Sequence, residues 1–172
     1  MCEEEIDLDE HWSYTIAGNW RALRFCEDLL RFCSRAKTDD ERKKVRDNEI
    51  ELTELMSLLI DRCYEKLINF AQDQNSRLAY LVLGVFLMEF GGKMTKEVKE
   101  DILKYSDWKY EVHQFKTVEE KELRKKYLIE FREKIKGYVD GVHTLVSEKT
   151  LSDVYANHGP FDLTPINYDI ES

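Results

Sequence analysis

The chain has 172 residues, of which 42% are hydrophobic and 35% charged, a composition that excludes both a disordered chain and a membrane-embedded one. Its net charge is −9 at pH 7, and its longest apolar stretch, residues 78–88, is much shorter than the ~20 residues of a membrane-spanning helix. The length favours one domain with a sizeable core. Because the first residues are acidic, they do not resemble a secretory signal, and we expect a cytoplasmic protein.

Net negative charge is concentrated at the two ends of the chain. Residues 1–20 contain six acids and residues 150–172 contain four, with no Lys or Arg in either segment, so the remaining residues carry a net charge of +1. This distribution predicts an acidic N-terminal segment (1–11), an α-helical bundle domain (12–149) and a C-terminal tail (150–172). Nucleic-acid binding would require a net basic face, which this composition does not favour.

Helical spacing dominates the chain up to about Lys149, and no proline occurs before Pro160. Apolar residues recur at intervals of three and four, which predicts a first helix over residues 12–36. The stripe of this helix consists of Ile16, Trp20, Leu23, Cys26, Leu30 and Cys33. Thr38 and Glu41 then form a capping-box pattern, which predicts that a second helix begins there and spans residues 39–73. Its inward-facing residues are Val45, Leu52, Leu55, Leu59, Cys63, Leu67 and Phe70.

A third helix is predicted over residues 77–90, after a polar break. It is apolar on every side, as expected of a helix surrounded by other helices. Gly91 can adopt the left-handed conformation that ends a helix, and Thr95 can cap a short fourth helix. The apolar residues of the fourth helix are Val98, Ile102 and Leu103.

An aromatic-rich, poorly periodic segment, residues 105–115, precedes the last predicted helix and is interpreted as a packed connection. Thr117 and Glu120 form a second capping box, and the last helix is predicted to continue to about Lys149. Its stripe consists of Leu123, Tyr127, Phe131, Ile135, Tyr138, Val142 and Leu145. The basic residues Arg124 to Lys136 alternate with acids and are expected to form a solvated helix surface.

These elements together predict an all-α fold, a bundle of four to five helices with an irregular, docked C-terminal tail. The tail is too apolar for an ordinary disordered end, and docking on its own bundle is preferred to docking on a neighbouring molecule. The large side chains of the tail are Leu151, Val154, Tyr155, Phe161, Leu163, Ile166, Tyr168 and Ile170.

The four cysteines are expected to be reduced. Cys26, Cys33 and Cys63 lie within predicted helices, where they are interpreted as small core residues, and Cys2 lies near the N-terminus. None of the cysteine spacings is typical of a metal site, and a domain of this size does not need disulfides.

The histidines give no convincing metal motif. A di-iron bundle needs Glu-x-x-His pairs on two helices, and the nearest match here is the single pair Asp140 and His143. Two such residues do not complete a coordination shell. We therefore expect structural or surface roles for the histidines.

Paired carboxylates are the stronger indication of an enzyme. The second predicted helix carries Glu51 and Glu54, and the fourth carries Glu97, Glu100 and Asp101. Such pairs on facing helices can hold magnesium, as in all-helical nucleotide pyrophosphohydrolases. The sequence lacks the later Glu-x-x-Asp of that signature, however. We expect these acids to lie on solvated faces, with a magnesium-dependent nucleotide (pyro)phosphohydrolase as the alternative.

Large aromatic side chains in the connection and the tail are candidates for an interface. They are Trp108, Tyr110, Phe115, Tyr155, Phe161 and Tyr168. We therefore expect a non-catalytic helical protein–protein interaction module or accessory subunit without a cofactor. Its partner would be another protein or a second copy of the chain, rather than nucleic acid or a membrane.

Truncation after Lys149 tests the expectation of a docked tail. Full burial of a large apolar side chain contributes roughly 1.5–3 kcal/mol, so the loss of eight such side chains should lower the melting temperature. Circular dichroism measures this change, and a sizing column shows whether a dimer becomes a monomer. Unchanged stability together with unchanged size would contradict docking.

Overall fold

The computed structural model describes residue 16 and residues 20–146. These residues form seven α-helices, one 3-10 turn (Trp108–Tyr110) and no β-strand, so the all-α class is confirmed. The helices are α1 (Trp20–Ser34), α2 (Asp39–Arg46), α3 (Leu52–Arg62), α4 (Tyr64–Asp73), α5 (Arg77–Glu89), α6 (Lys96–Tyr105) and α7 (Val118–Gly137). The predicted N-terminal segment 1–11 and C-terminal tail 150–172 lie outside the described residues.

Helix α5 lies at the centre of the bundle. Every residue from Arg77 to Met88 is buried, as its uniformly apolar sequence predicts. Helices α1, α4 and α6 pack against it. Gly84 lets α7 approach closely, because a Cβ atom at that position would lie only 2.8 Å from Cζ of Phe131.

The predicted second helix is divided into three helices, α2, α3 and α4. Asn48 adopts a left-handed backbone conformation (φ 54°), which Asn tolerates better than most residues and which separates α2 from α3. A second interruption occurs at Cys63, whose backbone (φ −111°, ψ 20°) is not helical. The prediction of one continuous helix over residues 39–73 was therefore wrong.

The last helix ends at Gly137, twelve residues before the predicted end at Lys149. Tyr138 adopts an extended conformation and donates a hydrogen bond from its hydroxyl to the carbonyl of Gly92, 2.6 Å away. Gly141 then turns the chain with a φ of 85°. The inward stripe predicted for this region was wrong at three positions, since these side chains are exposed: Leu123, Val142 and Leu145.

The predicted helix caps are confirmed. Thr38 and Glu41 form a complete capping box at α2, and Thr117 and Glu120 form another at α7. Thr95 accepts a hydrogen bond from the amide three residues later and so begins α6. These side chains satisfy backbone N–H groups that a helix cannot pair internally.

A buried carboxylate lies between two buried arginines. Glu111 is 0% exposed, and Arg77 and Arg124 are each 1% exposed. Nε of Arg124 donates to Oε1 of Glu111 at 2.6 Å, and a terminal nitrogen of Arg77 donates to Oε2 at 3.2 Å. Burial alone would raise the pKa of Glu111, but Arg124 and then Arg77 hold it below its ordinary value. Arg124 was thus wrongly expected at the solvated surface.

Replacing Glu111 by Gln should destabilise the protein by about 3–5 kcal/mol, because two buried guanidinium groups lose the carboxylate that they share. Urea unfolding followed by circular dichroism measures this loss. The matched control is Glu130→Gln, since Glu130 is exposed on α7, and this substitution should change stability by less than about 0.5 kcal/mol. Equal effects of the two substitutions would contradict the structural role of Glu111.

Candidate functional site

The carboxylates proposed for magnesium binding do not form a cluster. Glu51, Glu54, Glu97 and Glu100 are exposed, and Asp101 is half-buried. Within residues 20–146, no group of three or more His, Cys, Asp or Glu side chains could hold a metal ion. The geometry of the described residues therefore lends no support to the magnesium-dependent alternative.

Asp140 and His143 instead contact backbone atoms at one end of the bundle. Oδ1 of Asp140 accepts a hydrogen bond from the amide of Met94 at 2.9 Å. Nδ1 of His143 lies 3.0 Å from the carbonyl oxygen of Glu89. The first contact fastens the segment after α7 to the connection between α5 and α6, and the second fastens it to the end of α5. Both roles are structural.

The aromatic connection contributes more to the core than to the surface. Phe115 is only 5% exposed and stacks on Trp108 with ring centroids 6.2 Å apart, so the interface role predicted for Phe115 does not fit its burial. Trp108 and Tyr110 are half-buried, and the guanidinium of Arg77 lies 4.8 Å from the ring centroid of Tyr110. The other predicted interface residues, Tyr155, Phe161 and Tyr168, lie outside the described residues.

A surface pocket of about 570 Å³ lies where the end of α1 meets the junction of α3 and α4. Cys63 and the ring of Tyr64 line it. So do charged side chains, namely Arg35, Asp61, Arg62, Glu65, Lys66 and Lys93. Four cationic and two anionic groups give the lining an excess of positive charge.

Two thiols meet at the inner wall of this pocket. Sγ of Cys63 lies 3.8 Å from Sγ of Cys33, which is buried on α1. The Cys33 thiol lowers the pKa of Cys63 by hydrogen bonding, and Arg62 and Lys66 lower it further by their positive charge. The same contact, together with burial, raises the pKa of Cys33.

This pair was not predicted from the sequence, which suggested only isolated core thiols. Cys33 lies in α1, and Cys63 lies thirty positions later, between α3 and α4. The sequence places Cys33 on the apolar stripe of the first predicted helix and Cys63 on that of the second. This placement predicts burial, but the register between the helices decides whether the sulfur atoms meet.

An ion pair holds the rim of the pocket. Arg62 binds both carboxylate oxygens of Glu41, at 2.6 and 2.9 Å, and also donates to the carbonyl of Ala36 at 2.7 Å. Glu41 is at the same time the capping residue of α2. The hydrogen bond from Arg62 is the main cause that lowers the pKa of Glu41 to about 2.

The side of α7 opposite its buried stripe is open. We define the outer face of α7 by six residues: Val118, Glu122, Lys125, Ile129, Glu133 and Lys136. All six are exposed, with Ile129 at 49%. At 3.6 residues per turn they lie within about 40° of Ile129 around the helix axis. The face therefore presents two apolar and four charged side chains in one row.

No protein-family model, curated protein or solved structure matches the chain. Among the helices of the described region, none is both long and apolar enough to cross a bilayer.

The ion pair of Glu41 predicts a defined acid sensitivity. The ion pair lowers the pKa of the Glu41 carboxyl from the ordinary 4.5 to about 2 in the folded protein, so its stabilisation is present above about pH 4.5 and is lost as the pH falls towards 2. Glu41→Gln should therefore be less stable than the natural protein at pH 6, and the difference should shrink between pH 4.5 and 2. Urea unfolding of both proteins across this range measures it. A difference that does not change with pH would contradict the assignment.

Proposed function

We propose that the protein is a non-catalytic helical interaction module whose partner is a second copy of itself, bound through the outer face of α7. The observation that carries this proposal is the order of side chains along that face. Apolar, acidic and basic residues follow one another in a pattern that is complementary to its own reverse. A twofold-symmetric dimer requires this kind of self-complementary surface.

The register follows from the charges. When two copies of α7 are antiparallel with the twofold axis at Ile129, the two Ile129 side chains meet. Glu122 of one copy then lies opposite Lys136 of the other, and Lys125 lies opposite Glu133. Because the pairs occur twice by symmetry, four attractive pairs surround one apolar contact. In a parallel dimer each charged side chain would face the same residue of the other copy, and the like charges would repel. The charges therefore favour the antiparallel direction.

The ends of the face extend the apolar contact. In this register Val118 of one copy lies opposite the end of α7 in the other copy. Val139, which follows that end, is among the exposed large hydrophobic residues. Since each copy contributes little more than one helix, about 27 Å from residue 118 to residue 136, the interface is at the small end of specific interfaces. We expect reversible self-association in the micromolar range.

Replacing Ile129 by Glu should convert the dimer to a monomer, because two negative charges would meet on the twofold axis. Sedimentation equilibrium over a range of protein concentrations measures the change, with circular dichroism as the test of folding. The matched control is Leu58→Glu, since Leu58 is exposed to nearly the same extent (46% against 49%) but lies on α3. Loss of the dimer in both variants, or in neither, would contradict the proposal.

Charge reversal tests the register itself. Glu122→Lys alone and Lys136→Glu alone should each weaken the dimer, and the double variant should restore it. Truncation after Lys149 should leave the dimer intact if α7 forms the interface. A dimer that resists Ile129→Glu but dissociates on truncation would assign self-association to the tail instead.

A further inference from the structure

We infer that Cys33 and Cys63 form a reversible dithiol–disulfide site that exchanges with small, acidic disulfides of the glutathione class. The inference is independent of the proposed self-association, because the pocket and the outer face of α7 share no residue. It rests on three observations: the distance between the two sulfur atoms, the unequal access to them, and the charge of the pocket.

The two sulfur atoms are close enough to bond after a small movement. A disulfide needs an S–S distance of about 2.05 Å, so the present separation of 3.8 Å must decrease by less than 2 Å. Cys63 lies at the break between α3 and α4, where it caps the end of one helix and the start of the next. Because this residue is outside the regular helical backbone, its side chain can adjust without unwinding a turn.

The two thiols differ in their access to solvent, and this difference gives them different roles in the exchange. Cys63 lines the pocket and is half-buried, whereas Cys33 is fully buried behind it. An external disulfide therefore reaches Cys63 first. The lowered pKa of Cys63 increases the fraction present as thiolate, which is the attacking species.

The exchange proceeds in two balanced steps. The Cys63 thiolate attacks one sulfur of the external disulfide, forms a mixed disulfide and releases one small thiolate. The Cys33 thiol then gives its proton to the departing small thiolate as its own sulfur attacks Sγ of Cys63 and displaces that second thiolate. Two electrons pass from the protein dithiol to the external disulfide, which leaves as two thiols. The reverse sequence reduces the protein.

The pocket charge selects the class of disulfide. Lys66, Lys93 and Arg35 line the pocket, and Asp61 and Glu65 offset two of their three charges. Because Arg62 is neutralised by Glu41, one positive charge remains in excess. Carboxylates of a disulfide such as oxidised glutathione are attracted to this surface, whereas a cationic disulfide such as cystamine is repelled. This preference should weaken with added salt, since the charged side chains are exposed.

The test uses the 172-residue chain with Cys2→Ser in every variant, so that only Cys26, Cys33 and Cys63 can react. The folded protein is incubated with oxidised glutathione, quenched with an alkylating reagent and analysed by peptide mass mapping. We expect one Cys33–Cys63 disulfide, which reduced glutathione reverses. Cystamine should react about tenfold more slowly at low salt.

Two variants separate the roles of the thiols. Cys33→Ser should stop at a glutathione adduct on Cys63, and Cys63→Ser should give no adduct on Cys33. Cys26→Ser serves as the control and should form the disulfide normally, because Cys26 is fully buried and its pKa is raised by that burial. If Cys33→Ser does not fold, the alkylation rates of the three thiols in the Cys2→Ser protein compare their reactivity instead. Cys63 should then be alkylated fastest.

Three results would overturn the inference. One is that the folded protein keeps all three thiols free in oxidised glutathione while the urea-unfolded protein is oxidised. Another is a stable mixed disulfide on Cys63 that Cys33 never resolves. The third is a faster reaction with cystamine than with oxidised glutathione at low salt, which would remove the assignment to acidic disulfides.

Discussion

Burial of α5 on all sides is the constraint on which the remaining structure depends. A helix that is apolar around its whole circumference needs neighbours on every side, and here α1, α4, α6 and α7 surround it. The same burial encloses Arg77 at the start of α5, where a charged side chain cannot be left without a partner. Because Arg77 lies in the core, a surrounding segment must supply a group that pairs with its charge.

Glu111 supplies that partner, and this explains why the connection before α7 is ordered without being a long helix. Its carboxylate pairs with Arg77 from α5 and with Arg124 from α7, so one side chain joins three parts of the chain. Arg77 also donates to the carbonyl of Tyr105 at 3.0 Å, which fixes the end of α6. Because three buried charges must meet with correct geometry, the connection has little freedom to adopt other paths.

The features that could be predicted from sequence are those set by neighbouring residues. The capping boxes at Thr38 and Thr117 were predicted because both partners are three positions apart, and the burial of α5 because its composition is uniform. The break at Cys63 could not be predicted, since neither proline nor glycine occurs there. The burial of Arg124 depends on Glu111, thirteen positions away, and no local sequence pattern indicates that burial.

The two proposals also differ in whether their residues are neighbours in the sequence or are brought together by the fold. Self-association through α7 depends on a row of side chains within one helix, so its elements are visible in the sequence once the helix and its buried side are known. The dithiol site depends on a break in the helix that no residue type signals and on the register between α1 and that break. Cys63 lies at that break, half-buried and lining the pocket, whereas Cys33 is buried within α1. The position of Cys63 at the break and its contact with α1 therefore give the pair an inner and an outer thiol.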